Sequence, residues 1–540
     1  PDASAYWNEG QAATPQNPAY HTLTALLFQL FGAHEVGARL ISAFAGVALI
    51  MTPFFARKRF GRTRAFILAT LFACSPVFIT SSRIAGGPAL AAFGLGSVIM
   101  LLLGVDSGEE FRNRAPWIAG MLGLTLASGA SAIHGLITVG LGVLFIFMSG
   151  GHRGLLIAKL GKEQIRLGSW ITIGVMFLVA GGAGFSLRGI AGLAESLGAW
   201  FSGWFTSSGI PPLTALMMLP FYEPLTFVFG VVGIILAVRL QDAFGRGAVA
   251  WFLAGFLFLL LYPSRQGADL VWVMLPVSYL TATALESVVD RISKRESWLE
   301  FVSLSGVLIV LGLLVFMNLT IYTSGSNLIA AGQLDPALRL IVILGLIFVS
   351  ILVVIFFGLG WNMGVAIEAS AISASLFLIA LTLSATWRLN FNESAASARE
   401  LWRPQSTVIG MYRLKEAVET ISQANTGRKD ALDVHVRGAE IPTSIAWILR
   451  EFQPIQDDAT ESPAMYLIPE DSELSAFSGE YIGQSIKLKE YWGWSGYLPP
   501  EPVKWWISRD APTNEERWFL MVRVDLANMG GEIPSSPDLE

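Results

Sequence analysis

The sequence predicts a mainly α-helical, polytopic membrane protein with a small α/β domain after its last span, and three observations support this. The 540 residues are 53% hydrophobic and only 14% charged, with mean hydropathy +0.56, whereas soluble domains carry roughly 25% charged residues. About 12 apolar segments have the roughly 20-residue length that a bilayer requires. Residues 387–540 then change in character, being charged, proline-bearing and as long as one domain.

Hydropathy sets the order of the spans. They are expected at 36–56, 65–82, 87–104, 116–130, 132–149, 168–184, 214–238, 247–262, 270–288, 300–322, 339–358 and 363–386. The stretch from Ser128 to His134 could be a kink instead of a loop. The chain begins without methionine, and a cytoplasmic start with one further helix before Pro1 would bring the total to about 13 spans. The division is therefore a first outer loop at 1–35, a transmembrane domain at 36–386 and a final domain at 387–540.

Positive charge in the loops predicts the orientation. One alternate set of loops holds about 16 Lys and Arg residues, and the other about four, which are Arg83, Arg188, Arg265 and Arg339. The rich set is expected in the cytoplasm. Both the start of the chain and residues 387–540 are then extracytoplasmic, in a multi-pass protein of the cell membrane.

The segments outside the spans also carry structural signals. Apolar residues at steps of three and four predict an amphipathic helix within 185–212, which either packs between spans or lines a lipid-facing cleft. In the last domain, helices are expected at 408–424 and 442–452, and strands at 432–437, 464–468 and 518–524. Several aromatic residues could bind a sugar ring or serve packing and interface anchoring, namely Trp492, Trp494, Tyr497, Trp505 and Trp506.

Composition disfavours two classes of partner. The net charge is −5 and the basic residues form no stripe that would follow a phosphate backbone, so no nucleic-acid partner is expected. Cys74 is the single cysteine and lies in an apolar run, and the five histidines show no HExxH spacing. We therefore predict neither a disulfide framework nor a histidine–cysteine metal site.

A few polar residues near the outer surface are candidates for chemistry. Asp2, beside Tyr6 and Glu9, could act as a general base, could bind a divalent cation together with Glu9, or could be a solvated loop acid. Arg83 and Arg265 could each pair with a phosphate through the planar guanidinium, or extend to lipid headgroups.

The same region resembles the C-type glycosyltransferase superfamily, and within it the aminoarabinose-lipid A transferases and protein O-mannosyltransferases. The resemblance covers roughly residues 1–290 and rests on short motifs in the family's order, which are Pro1-Asp2 with Tyr6, Pro18 with Tyr20, Leu30-Phe31-Gly32 with Glu35, Arg39 and Leu40, Ser82-Arg83, His134-Gly135 in place of a Lys-Gly pair, Ser264-Arg265, and Leu275-Pro276. It implies a membrane enzyme that moves a sugar from a polyprenyl-phosphate donor to a glycan, lipid or protein acceptor on the outer face.

The resemblance also implies roles for individual residues. Asp2 would be the catalytic base, while Tyr6, Glu9, Tyr20, Arg83, His134 and Arg265 would bind substrate. Taken alone, His134 is also typical of a satisfied buried histidine.

Three positions depart from the family's pattern. Ala3 replaces a second acid, Asn17 replaces a basic residue, and Gly86-Gly87 replaces an acid. No metal site is therefore assigned, since Asp2 alone offers too few oxygens for a divalent cation unless Glu9 contributes. Metal-independent inverting transfer stays open, with Asp2 as base and arginine neutralising the leaving phosphate.

Two other functions stay open. The missing polar groups would suit a catalytically silent relative that serves as a subunit among other membrane proteins. A transporter ranks below both, because Glu368 is the main acid within the spans and no inverted repeat is apparent.

Overall fold

The computed structural model describes residues 17–148, 162–182, 187–207, 210–240, 242–293, 298–323, 336–391, 398–437, 441–452, 454–456, 463–470 and 480–527. Contacts between residues divide the chain into two units. The first comprises residues 6–391 with 501–509, and the second comprises 1–5, 392–500 and 510–540.

The secondary structure described in the larger unit is helical, with loops between the helices. Its helices are α1 Pro18–Phe31, α2 Glu35–Met51, α3 Arg62–Cys74, α4 Pro76–Arg83, α5 Ala89–Leu103, α6 Gly108–Leu126, α7 Ala130–Met148, α8 Lys162–Ala180, α9 Leu187–Ser202, α10 Pro212–Tyr222, α11 Pro224–Leu240, α12 Ala243–Leu261, α13 Val271–Ser293, α14 Trp298–Thr323, α15 Pro336–Phe357 and α16 Met363–Phe391. Each predicted span overlaps one helix or one pair of helices. The boundary in doubt lies at residues 127–129, where Gly129 has φ +88°.

Six stretches of helix are long and apolar enough to cross a membrane among the described residues, and eight if each bent pair counts as one span. The count of about 12 spans remains a prediction. The bent pairs are α3 with α4, at 55°, and α10 with α11, at 95°. The expected spans 65–82 and 214–238 are thus broken helices, because Pro76 and Pro224 each start a new helix.

Helix α13 lies at the centre of this unit. Its side chains from Val271 to Ala282 are all buried, with Trp272 only 2% exposed. It packs against α3, α11 and α12. By contrast, α14, α15 and α16 expose most of their apolar side chains, as expected for helices that face lipid.

Glu223 joins the two helix breaks. Its carboxylate accepts hydrogen bonds from the hydroxyl of Ser75, which precedes α4, from the backbone N–H of Val77 at 3.3 Å, and from the Thr226 hydroxyl at 3.3 Å. The side chain is 1% exposed. It therefore satisfies one N–H group, that of Val77, which the first turn of α4 leaves without a helical partner.

Polar contacts mark the two ends of the helical bundle. At one end, called the Arg265 end, the Asn17 side chain bonds to the Gly86 carbonyl at 3.1 Å, and Ser264 N–H bonds to the Gly203 carbonyl at 3.2 Å. The opposite end holds an ion pair between Arg64 and Glu286 with an N–O distance of 2.5 Å.

The second unit contains a six-stranded mixed sheet in the order β1-β5-β6-β4-β2-β3. The strands are β1 Gln405–Thr407, β2 Val434–Val436, β3 Ile455–Gln456, β4 Met465–Pro469, β5 Tyr481–Trp492 and β6 Thr513–Arg523. Strands β5 and β6 form the longest antiparallel pair, with Tyr481 opposite Arg523. Helix α17, Gly410–Thr426, covers one face with Leu414 and Val418, which are fully buried.

The sequence predicted β2, β4 and β6 but missed β1, β3 and β5. Strands β1 and β3 have only three and two residues, and β5 carries Lys487, Lys489 and Glu490 among its apolar residues. The helix expected at 442–452 is a shorter α18, Thr443–Ile448. Helix α19, Pro502–Ser508, belongs by its contacts to the larger unit. There Trp505 is fully buried, and Trp506 Nε1 donates to the Phe221 carbonyl at 3.0 Å. For these two indoles, packing is the use that the structure supports.

Candidate lipid-phosphate site

The loop between α12 and α13 carries Arg265 and is held by the stretch that follows α9. The Ser264 hydroxyl donates to the Thr206 carbonyl at 2.7 Å, and the Ile210 N–H donates to the Arg265 carbonyl at 3.0 Å. Gly203 allows the close approach, because a Cβ at this position would lie 1.8 Å from the Tyr262 hydroxyl oxygen. The position of Arg265 is thus fixed on both sides by backbone hydrogen bonds.

Arg265 is buried, with 7% of its surface exposed. Its Nη1 donates to the Ile210 carbonyl at 2.8 Å and its Nη2 to the Leu260 carbonyl at 3.2 Å, while Nε has no partner among the described residues. Burial lowers the pKa of Arg265 from its ordinary value, but an arginine keeps its charge at neutral pH. Within the described part of the chain, no carboxylate forms an ion pair with Arg265.

His134 lies in an aromatic enclosure. Its ring meets those of Tyr262, Phe258 and Trp200 edge to face, with centroids 4.5, 5.6 and 6.1 Å away. The Nδ1 atom is buried and has no hydrogen-bond partner in the described structure. At this nitrogen His134 therefore lacks, among the described residues, the hydrogen bond that a satisfied buried histidine would have.

His134 and Arg265 line one small cavity, which sequence analysis did not predict as a pair. Asp269 lines it too and was missed. Its carboxylate accepts the Gln266 N–H at 2.9 Å and the Ser131 hydroxyl at 3.4 Å. The signal for Asp269 was an acid four residues after Arg265, at the start of a span.

Trp272 closes the floor of the same cavity. Its Nε1 donates to Ser131 at 3.0 Å. Gly135 lies against the indole so closely that a Cβ there would be 2.4 Å from Cζ3 of Trp272. His134 therefore lines the cavity, whereas Gly135 allows Trp272 to pack closely against the same helix.

Arg83 occupies a different position. Its guanidinium carbon lies 4.9 Å from the centroid of the Phe391 ring, and its side chain is exposed. Helix α4, which ends at Arg83, packs against the turn Gly267–Leu270 just after Arg265. The two arginines therefore lie on neighbouring elements, but no contact joins them.

Tyr20 is placed in the first helix, next to positions that depart from the family's pattern. Its hydroxyl donates to the Ala38 carbonyl at 2.5 Å, and its ring lies on Gly86, which has φ +71°. Burial raises the pKa of Tyr20. Asn17 caps this helix and also holds the Gly86 carbonyl. Asn17 stands where the family carries a basic residue, and Gly86 stands where it carries an acid. In this chain the two positions are joined by a hydrogen bond from an amide to a carbonyl.

Asp2, Tyr6 and Glu9 lie outside the described residues. Among the residues that are described, no cluster of three or more His, Cys, Asp or Glu side chains could hold a metal ion.

Comparison with known proteins identifies the fold. No family model matches the chain, and no curated protein matches it either. The structure of ArnT from Cupriavidus metallidurans bound to undecaprenyl phosphate superposes with a TM-score of 0.55, at 15% identity over 97% of this chain and 92% of that one. Its apo structure gives a TM-score of 0.53 over the same shares. The apo oligosaccharyltransferase of Archaeoglobus fulgidus aligns with a TM-score of 0.39, at 12% identity over 84% of this chain and 57% of that chain. The resemblance to the aminoarabinose-lipid A transferases inferred from sequence is confirmed at the level of the fold.

Proposed function

We propose that this protein is a membrane glycosyltransferase that moves a sugar from a polyprenyl phosphate to an acceptor at the outer face of the membrane. The observation that carries the proposal is the cavity of Arg265 and His134. Among the described residues, it combines a buried cation that has no carboxylate partner with an imidazole nitrogen that has no hydrogen-bond partner. A buried charge requires compensation, and a phosphate would supply it through charge-assisted hydrogen bonds.

The kind of lipid follows from the fold and from the setting. ArnT has the same fold and was crystallised with undecaprenyl phosphate, and the helices around the cavity are apolar enough to accept a prenyl chain. The proposal places the phosphate on Arg265, with Nε turned towards it while the two terminal nitrogens hold the loop. Arg83 and Tyr20 would bind other parts of the donor or acceptor.

Asp2 is the proposed base, with Tyr6 and Glu9 beside it. In this scheme Asp2 takes the proton from an acceptor hydroxyl as the acceptor oxygen bonds to the anomeric carbon. The bond from that carbon to the phosphate oxygen breaks, and its electron pair leaves with the polyprenyl phosphate, whose added charge Arg265 stabilises. Direct displacement inverts the anomeric configuration. A divalent cation has no part in this scheme.

The proposal requires an extracytoplasmic site, with the final domain also extracytoplasmic, as the charge of the loops predicts. A second function, a silent subunit of a membrane assembly, is favoured by the meeting of Asn17 with Gly86, where ionisable groups are replaced by an amide and a carbonyl.

The test is sugar transfer in membranes from a labelled polyprenyl-phosphate donor, with the parent chain and with Asp2→Asn. We expect donor consumption by the parent and its loss in the variant, with both proteins present at equal levels. Consumption that persists in Asp2→Asn would reject Asp2 as the base. No turnover by the parent over a range of donors, together with partners that co-purify in fixed ratio, would favour the silent subunit.

A further inference from the structure

A second region of interest begins at the other end of α10, away from Arg265. Helices α14, α15 and α16 enclose an apolar groove of about 570 Å³, within the roughly 300–1,000 Å³ of ordinary ligand sites. Its rim is formed by exposed apolar side chains such as Leu313, Ile351 and Leu376. These helices face lipid, so the groove opens towards the hydrocarbon of the bilayer.

The groove leads to two arginines. Phe316 and Phe377 contact each other, with ring centroids 6.1 Å apart. Phe377 lines the groove, whereas Phe316 lines a second, smaller cavity that also contains Arg388 and Arg509. The linings continue along α16 from Ala380 in the groove to Leu381 in the cavity. The apolar groove is therefore next to a cavity that holds two cations, and the Phe316–Phe377 pair lies between them.

Arg509 has an unusual backbone. It is the one non-glycine residue with positive φ in the described chain, at +58°, a conformation that favours glycine. It ends α19 and is 3% exposed, with its guanidinium carbon 4.6 Å from the Trp505 ring centroid and 5.0 Å from that of Tyr222. Glycine would suit this backbone better, so the arginine side chain carries a cost that indicates use.

We propose that the groove and its arginines bind one anionic phospholipid of the bilayer, with an acyl chain between α14, α15 and α16 and the headgroup phosphate at Arg388 and Arg509. Charge complementarity commits the site to this occupant, because a guanidinium pairs with a phosphate through charge-assisted hydrogen bonds. Arg265 bonds to Ile210, just before α10, whereas Arg509 packs on Tyr222, its last residue. The 11 residues of α10 separate the two sites by about 16 Å. The inference does not depend on the proposed transferase activity.

The test uses purified full-length protein in nanodiscs of phosphatidylcholine that carry a photoreactive phosphatidic acid, with mass spectrometry of the labelled peptides. We expect labelling on α14 and α16, and weak labelling by a phosphatidylcholine probe with the same chains. Combining Arg388→Gln with Arg509→Gly should weaken phosphatidic acid binding roughly 25-fold, about fivefold for each ionic contact that is lost. Glycine suits the backbone at 509, and Arg239→Gln, an exposed cation on α11, is the matched control.

A second variant tests the groove without touching the arginines. Gly312 lines the groove, and the nearest atom to a Cβ there is 3.9 Å away. Gly312→Leu should fill the groove and abolish labelling while favouring the helix. Gly306→Leu, on the same helix in open space, should leave labelling intact. Equal labelling by the two probes, labelling that survives Gly312→Leu, or displacement by polyprenyl phosphate but not by phosphatidic acid would overturn the proposal.

Discussion

The cavity at Arg265 and the groove that ends at Arg388 and Arg509 both place arginine among aromatic rings, yet they are built in opposite ways. Around Arg265 the packing leaves little room, with glycines at positions 135 and 203 where a Cβ would collide. Around the groove, a Cβ at Gly312 meets its nearest neighbour at 3.9 Å. The first region holds its cation by backbone carbonyls, and the second holds Arg509 over ring faces.

The difference indicates two kinds of lipid recognition. Arg265 is fixed by bonds to Ile210 and Leu260, so it can favour one phosphate geometry, as a reacting group requires. Arg509 lies on the rings of Tyr222 and Trp505, where contact is less directional. Loss of Arg265 should therefore weaken phosphate binding more than loss of either arginine beside the groove.

The largest effect is expected from Arg265→Gln. The change removes the proposed phosphate cation and should lower kcat/KM for the polyprenyl-phosphate donor by roughly 100-fold, equivalent to about 3 kcal/mol. Arg265→Lys should recover only part, because an ammonium lacks the planar fork. Steady-state transfer at varied donor concentration is the measurement. Rates within twofold of the parent for Arg265→Gln would remove the contrast between the two regions.

Glu223→Ala tests the buried carboxylate that joins the two helix breaks. Losing the carboxylate leaves Val77 N–H and the hydroxyls of Ser75 and Thr226 without their acceptor, at a cost of about 3 kcal/mol of unfolding free energy. Glu223→Gln keeps one acceptor oxygen and should cost less than half as much. Thermal unfolding in one detergent measures both, and equal melting temperatures for the two variants would reject this role.

Gly135→Ala tests close packing directly. The added methyl group would press on Trp272, so we expect a loss of about 2 kcal/mol in stability, as in overpacked cores. Gly140→Ala is on the same helix, with nothing within 4 Å of its Cβ, and should be neutral or stabilising. Gly312→Leu in the groove should also be tolerated. Equal melting temperatures for Gly135→Ala and Gly140→Ala would show that Gly135 is not closely packed against Trp272.

The smallest effect is expected from Asp269→Asn. The amide oxygen can keep the bond from Gln266 N–H, but the negative charge near the proposed phosphate disappears. Repulsion of the phosphate therefore falls, and undecaprenyl phosphate should bind up to about fivefold tighter, with unchanged melting temperature. Weaker binding in isothermal titration would show that Asp269 assists the phosphate in another way.

The sequence predicted helices well where hydropathy alone decides, as in α13 and α14. It did not predict the bends at Pro76 and Pro224 as broken helices, because a proline in an apolar run is compatible with either a kink or a new helix. Glu223 was missed as well, because its role depends on the break at Pro224. An acid directly before a proline within a predicted span was a visible signal for it.

The candidate site was predicted in its parts but not in its arrangement. His134 and Arg265 were named separately from short motifs, and their common cavity depends on the docking of Gly203 and Ile210, which are distant in the chain. Strand β5 was missed although buried Ile486 and Leu488 alternate with Lys487 and Lys489. Its pairing with β6 is a long-range contact that a local pattern does not reveal.

The most direct test of whether the Arg265 cavity binds a lipid phosphate is the binding of undecaprenyl phosphate by the parent chain, Arg265→Gln and Arg239→Gln. Uncharged undecaprenol is the ligand control. We expect saturable binding of the phosphate that Arg265→Gln weakens roughly 100-fold, unchanged binding in Arg239→Gln, and little preference for undecaprenol in any of them. Equal affinity of the parent and Arg265→Gln for the phosphate would contradict the assignment of this cavity to a lipid phosphate.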